Sequence, residues 1–335
     1  MSLTLPEWPM FGLVEDMRPA MRAASAACEA AALVTLHTLH GGGPRPPGAQ
    51  MLLSNSVAAG FLSGGCVEGD IAVHAARTIE DGEPRHLVYG EGGPWPDIRL
   101  LCGARIEILV ERLLPEEAAL ATLFSEADAR QPAIWITNGA MRRVERAPRR
   151  TAPDCQVRTE PFEVRRLYEP VPRLVVIGAD PIALAVASLG AQSGFETTLV
   201  RPKGPEAPPP LTGVAYSRAD ADVALAAIGP DPWTAVAVAT HDWETDQDAL
   251  LTALPSDASY VGVLGARRRL PERLTRLRAA GIDEAALDRL RAPIGLDLGG
   301  KAPWEIAVSV IAQIIAERET ARAPPTQMMV RGAVK

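Results

Sequence analysis

The chain has 335 residues, 47% hydrophobic and 22% charged, enough apolar material for a sizeable core and more length than one average domain uses. Its 34 basic and 41 acidic side chains leave a net charge of −7, and no run of like charge builds the basic patch a nucleic-acid partner requires. No apolar stretch reaches the roughly 20 residues of a membrane span, and no basic segment precedes an apolar one at the N-terminus, so a soluble cytoplasmic protein of two domains is expected.

Aromatic residues are only 4%, whereas Gly (28) and Pro (30) are plentiful, which points to layered α/β units with Ala, Leu, Val and Ile cores and abrupt turns. In chain order, Met21–Ala32 predicts a helix and Leu33–Leu39 a strand. The loop Gly41 to Gly48 is shaped by glycines and stiffened by prolines around Arg45. Strands over Ala49–Ser54 and Val57–Leu62 lead into Ser63-Gly64-Gly65-Cys66, and Val67 onward has helical apolar spacing. His86–Tyr89 and Ile106–Val110 predict strands, the latter preceded by Leu101-Cys102-Gly103. A helix over Pro115–Ala129 and strands at Ala133–Thr137 and Phe162–Val164 complete a first domain, residues 1–165, of mixed α/β type.

From residue 171 the texture changes. Leu174–Gly178 is a continuous apolar strand, followed by a helix over Ile182–Ser193 and a strand over Glu196–Val200, one βαβ unit. Strands at Ala235–Ala239 and Tyr260–Leu264 alternate with helices at Thr245–Leu254, Leu270–Ala280 and Trp304–Arg318. The expected fold of residues 171–322 is a Rossmann-like, doubly wound parallel sheet. Residues 323–335 lack periodicity and are expected to form a flexible tail.

The four cysteines, Cys28, Cys66, Cys102 and Cys155, are too scattered for a disulfide framework or a CxxC-type zinc site. Any role is that of an individual thiol. Cys28 on an Ala-rich helix and Cys155 in a polar linker have no such setting. Cys66 does: after Gly64 and Gly65, at the start of a helix, it would meet unpaired N–H groups and the positive end of the helix dipole, which favours thiolate. The same N–H groups offer a place for a phosphate. Glu68 and Asp70 read as ordinary acids of a first turn, and a packed, inert Cys66 is the plainer alternative.

Ser63-Gly64-Gly65-Cys66-Val67-Glu68-Gly69-Asp70 resembles the signature of the XdhC/CoxI family, accessory proteins of xanthine dehydrogenase and related molybdenum hydroxylases. The loop Gly43 to Met51 and Leu101-Cys102-Gly103 resemble further elements of that family, with Ala104 where a second glycine is usual. Thr240-His241-Asp242, Tyr260 to Arg268, Pro293 to Asp297 and Pro303 to Ser309 resemble its C-terminal motifs in the same order. The resemblance implies a non-catalytic chaperone. It would bind molybdenum cofactor, as molybdopterin or its cytosine dinucleotide, support its sulfuration with a cysteine desulfurase, and pass it to an apo molybdenum hydroxylase; a homodimer is also implied. A thiolate suits such a centre. Cys66 is then the first candidate for contacting molybdenum or its sulfur ligand, with Gly64 and Gly65, and Cys102 with Gly103 the second. Arg45 is a candidate phosphate clamp, because guanidinium matches phosphate oxygens in two-pronged fashion.

Gly178-Ala179-Asp180-Pro181-Ile182-Ala183 is a degraded dinucleotide fingerprint. Asp180 replaces the second glycine and would repel a pyrophosphate, although it suits a helix N-cap. Arg201 stands where a ribose-binding acid is expected. An NAD(P)-binding oxidoreductase is therefore an alternative reading with a missing part, and a persulfide-carrying thiol protein is another. His241 and Asp242 follow a strand at the sheet edge where ligands of such folds bind, or simply cap the next helix. Arg267, Arg268 and Arg269 read as an anion-binding cluster or the solvated start of a helix. Gly178, His241, Asp242 and Arg267 complete the candidate cofactor contacts.

Overall fold

Strand β1 (Ala31–His40) is buried for most of its length, with apolar residues on both faces, and can only be an inner strand. In the computed structural model, which describes residues 3–43, 45–91, 93, 100, 103–148, 154–240 and 242–322, it is the middle strand of an antiparallel five-stranded sheet. With β2 (Gln50–Leu53), β3 (Ala58–Gly60), β4 (Arg85–Tyr89) and β5 (Arg105–Leu113), the order is β3-β2-β1-β5-β4. Ala31 and Leu33 share one core with Met21 and Ala24 of helix α1 (Arg18–Ala26). Ala32, Val34 and Leu36 share another with Ile71, Ala75 and Ile79 of α2 (Glu68–Asp81). The period-2 alternation of β1 thus meets one layer on each face.

Helix α3 (Ala118–Asp128) joins the α1 side through Leu120 and Leu123, together with Trp135 of β6 (Ala133–Thr137). Strand β6 belongs to a second antiparallel sheet, which also holds β7 (Arg142–Arg146), β8 (Cys155–Thr159) and β9 (Phe162–Tyr168) in the order β7-β6-β9-β8. A wholly buried Glu111 on β5 ties the two sheets together. It accepts hydrogen bonds from Trp135 Nε1 (3.2 Å), Thr137 Oγ1 (2.7 Å) and Arg142 Nε (3.1 Å). Burial pushes the Glu111 carboxyl up, against the pull of Arg142.

These elements end at Pro170; the chain divides into two units there, and Val171 begins the second. Strand β10 (Arg173–Gly178) starts a parallel sheet with β11 (Glu196–Val200), β12 (Val214–Ser217), β13 (Thr234–Ala239), β14 (Tyr260–Val263) and the short β15 (Leu290–Arg291). The order is β12-β11-β10-β13-β14-β15, every pair parallel. Leu174 and Val176 pack with α4 (Pro181–Gln192). Val175 and Ile177 face α5 (Ala221–Ile228) and α6 (Trp243–Ala253), in a core that also takes Leu277 of α7 (Leu270–Ala279) and Leu287 of α8 (Glu284–Asp288). Helix α9 (Pro303–Arg322) covers the α4 side through Ala307, Val310 and Ile314. This is the expected doubly wound arrangement.

Several expectations shift. The first helix ends at Ala26 rather than Ala32, since Cys28 takes φ 53° and Ala31 already belongs to β1. Strand β7 escaped the sequence reading because Arg-Arg-Val-Glu-Arg has no apolar alternation; its partner β6 and carboxylates nearby hold it. Cys155, expected in a polar linker, is buried on β8, and burial pushes its thiol up to about 11. The strand begun at Phe162 runs past residue 165 to Tyr168. The expected tail, 323–335, lies outside the described residues. Among those, no helix is long and apolar enough to cross a membrane.

Replacing Arg142 with Met leaves the Glu111 carboxyl buried without its cation. The expected cost is about 3 kcal/mol, read as a lower midpoint in denaturant unfolding. His37 sets an acid limit. It lies at the irregularity in the β1–β5 register, edge-on to Phe162 at 5.7 Å between ring centroids. Burial pushes its imidazole down to about 4, with Glu107 pulling it up and His86 pushing it down. The unfolded chain then binds a proton that the folded chain refuses. Stability is complete above about pH 6.5 and falls as pH drops toward 4, by about 3 kcal/mol at most. His37→Leu should flatten that limb in melts recorded against pH.

Candidate functional site

At one edge of the five-stranded sheet, three segments converge. Pairing of His40 with Arg105, Thr35 with Gln50 and Met51 with Gly60 puts the end of β1, the starts of β2 and β5, and the end of β3 on the same side. The loop 41–49, the Gly-Gly-Cys turn and the Gly103 segment therefore emerge together. A Cβ placed on Gly41 would lie 3.8 Å from the Gly103 carbonyl. Arg166 Nε of β9 donates to the Gly48 carbonyl at 2.6 Å and holds the far end of the loop.

The turn between β3 and α2 is organised by Glu68. Its side chain is buried and folds back over the helix start. Oε1 accepts from the Leu62 (3.0 Å) and Ser63 (2.7 Å) N–H groups. Oε2 accepts from Ser63 Oγ (2.6 Å) and from the N–H groups of Gly65 (2.9 Å) and Val67 (3.3 Å). Burial alone would raise this carboxyl; the Ser63 hydroxyl and the Ser63 and Leu62 N–H groups overcome it and hold it below the usual carboxylate range. Gly64 and Gly65 have φ of 82° and 112°, where a side chain would be strained. A Cβ on either would meet nothing within 4 Å, so the space above them is open. Cys66 is a free, exposed thiol beside that space.

This corrects the expectation for Gly64 and Gly65. Of the N–H groups read as a phosphate cradle, that of Gly65 is already bonded to a carboxylate of the chain, whose charge would repel a phosphate. Glu68 was passed over as an ordinary first-turn acid. Its five-residue spacing from Ser63 matches no capping box, so only the folded turn shows its role. Asp70 is engaged as well: Tyr89 Oη donates to its Oδ2 at 2.6 Å, tying α2 to β4.

Arg45 does not present a free fork. Nη1 donates to Glu15 Oε1 at 2.9 Å, Nη2 binds Oε2, and the guanidinium stacks 4.7 Å over the Phe61 ring. Since Phe61 precedes the Gly-Gly-Cys turn by a few residues, Arg45 is placed beside that turn. Its partner Glu15 is 63% exposed, so the pair is weak and exchangeable. Cys102 lies outside the described residues, and Gly103 follows it directly into β5.

In the second unit, Gly178 is required by packing: a Cβ would collide with the Ala239 carbonyl of β13 and with Ala183 of α4. Asp180 Oδ1 accepts from the Ala183 N–H at 2.8 Å, closing the helix end where a pyrophosphate would bind. Asp242 likewise caps α6, accepting from Thr245 N–H (2.7 Å) and Oγ1 (2.6 Å), bonds that hold its carboxyl below the usual range. His241 lies outside the described residues. Arg267 is exposed, with Asp297 at 3.6 Å. Beside these residues, Asp246 of α6 takes Arg273 Nη2 of α7 at 2.8 Å, both buried, and Arg273 stacks 4.7 Å over Trp243.

The model of the XdhC and CoxI family matches residues 24–90, and that of the XdhC Rossmann domain matches 174–314. The molybdenum cofactor insertion chaperone PaoD of Escherichia coli (strain K12) is 31% identical over 310 residues, 91% of this chain and 90% of its own length. The chain belongs to the XdhC and CoxI family. A protein of Bacillus subtilis (strain 168) named as a probable xanthine dehydrogenase subunit is 26% identical, covering 87% of this chain and 94% of its own. A crystal structure of a xanthine dehydrogenase from Bacillus halodurans shares the fold, with TM-score 0.71 and 22% identity over 92% of this chain and 98% of that one. Arg45 and Cys66 fall within the XdhC and CoxI match, and Gly178, Asp242 and Arg267 within the XdhC Rossmann match; Gly103 falls in neither.

Glu68→Gln keeps the shape of the side chain but turns one acceptor into a donor facing N–H groups. A stability loss of about 2 kcal/mol is expected, with faster amide exchange at Ser63 and Gly65. Unchanged exchange there would remove Glu68 as the organiser of the turn.

Proposed function

We propose that this protein carries molybdenum cofactor and delivers it to an apo hydroxylase of the xanthine dehydrogenase type, as a maturation factor without catalysis of its own. The observation that carries this reading is the Cys66 thiol, exposed on a turn that Glu68 holds rigid, beside open space over Gly64 and Gly65. The likeness to PaoD, a protein named for insertion of this cofactor, supports it.

An exposed cysteine sulfur on an ordered turn suits a soft-leaning molybdenum centre or its sulfur ligand. Contact through only one or two cysteine sulfurs allows release to a client that offers more. The five hydrogen bonds to Glu68 remove the entropy cost of ordering the turn at each loading. The cofactor phosphate takes a place away from the Glu68 carboxylate. Arg45 is the nearest candidate, exchanging its exposed Glu15 partner for phosphate oxygens. Cys102, next to Gly103, is the candidate second thiol. In the same proposal the bound cofactor is presented to a cysteine desulfurase for sulfuration, and the working form is a homodimer.

The test uses purified protein incubated with molybdenum cofactor released from a denatured molybdenum enzyme, and measures cofactor retained through gel filtration. The native chain should retain it, and Cys66→Ala should retain at least about tenfold less while melting at the native temperature. Equal retention by Cys66→Ala removes that thiol from the site, and no retention by the native chain overturns the carrier reading.

A further inference from the structure

The segment before α1 lies on the first unit as a strap. Leu3, Leu5 and Phe11 pack against the core that holds α2, and Met17 is buried in the core around α1. Glu15 binds Arg45, whose guanidinium stacks on the Phe61 ring. A Cβ on Gly12 would lie 3.3 Å from the same ring. The strap is thus anchored along its length, and its 3-10 turn over Pro9–Leu13 rests on the residue that leads into the Gly-Gly-Cys turn.

Its outer side is apolar where water favours polar groups. Trp8, Met10 and Leu13 are 79%, 65% and 73% exposed, and Val14, next to Leu13, is exposed as well. An anchored segment that turns Phe11 and Met17 inward but holds these side chains in solvent marks a contact surface. Trp and Met are residues that interfaces favour. The rim is acidic: Glu7 precedes Trp8 and Glu15 follows Val14, both exposed, and residues 3–17 contain no Lys or Arg.

That charge selects the occupant. Two copies joined by a two-fold axis through the strap would set Glu7 and Glu15 against their own counterparts. An anionic membrane surface repels the same rim. The strap fits a protein surface whose apolar pocket is edged by Lys or Arg. We propose that it is the docking surface for the protein that receives the cargo, an apo hydroxylase presenting such a basic-edged apolar pocket. The inference rests on the carrier reading and deepens it. A partner seated on Trp8, Met10 and Leu13 is held over Phe61 and Arg45, beside the turn that bears the exposed Cys66 thiol.

The test measures binding of the full chain, loaded and unloaded with cofactor, to immobilised cofactor-free hydroxylase of the xanthine dehydrogenase type. The native chain should bind, and more weakly as salt rises. Trp8→Ser combined with Leu13→Ser should lose at least about tenfold in affinity, and Glu7→Lys should lose affinity at low salt. These variants should melt at the native temperature and retain cofactor through gel filtration as the native chain does. Equal affinity for the double variant, no binding by a native chain that retains cofactor, or binding that neither salt nor Glu7→Lys changes overturns the proposal. A smaller oligomer of the double variant in sedimentation overturns it in favour of a second copy. Binding of the native chain to phosphatidylserine vesicles, lost in the double variant, overturns it in favour of a membrane. Failure of the native chain to retain cofactor, with strap-dependent binding intact, strikes the carrier reading and leaves the docking surface standing.

Discussion

The Glu68 carboxylate is the constraint on which the first unit's site depends. A strand ends at Gly60, a helix starts at Glu68, and the seven residues between them must expose a thiol without unravelling. Two glycines at positive φ supply the path but also the greatest conformational entropy to lose. The carboxylate offsets that loss by collecting four N–H groups and one hydroxyl in a buried position. Behind it, Asp70 and Tyr89 fasten the helix to β4, and the apolar face of α2 fastens it to β1.

The same device recurs along the chain and shapes its ligand chemistry. Asp180, Asp242 and Asp283 each accept from an N–H three residues on, and Glu305 accepts from Lys301 and Ala302. Helix starts that would otherwise attract anions are thus neutralised from within. Positive charge remains in arginine side chains instead. Arg45 is lightly restrained by an exposed glutamate, while Arg267 to Arg269 stand over a buried Asp246–Arg273 pair. Guanidinium groups bind phosphate with directional forks.

Much of this was legible in the chain. The parallel strands after residue 171 are uninterrupted apolar runs, and their regular alternation with segments of helical period admits one architecture. Asp180 and Asp242 announced their capping roles by position before a helix. Strand β7 was not legible because Arg-Arg-Val-Glu-Arg has no apolar alternation, although its hairpin partner β6 is near in the chain, and the burial of Cys155 was not because it shares a core with Leu109 of β5, far away in sequence. Glu68 was misread for a related reason. A glutamate in a first helical turn is ordinary, and nothing in its spacing says that the preceding turn wraps around it.

Residue order alone determined which local forms were possible: glycines where the backbone must take positive φ, prolines where a loop must be stiff, and apolar periods of two or near four. It also carried the motifs that mark the XdhC and CoxI family. Tertiary structure alone decided which charges are spent inside the molecule and which remain available. That choice depends on distances across the fold, as between Glu111 and Arg142 or Asp246 and Arg273. Electrostatic and hydrogen-bond energies follow spatial separation and burial rather than order along the chain.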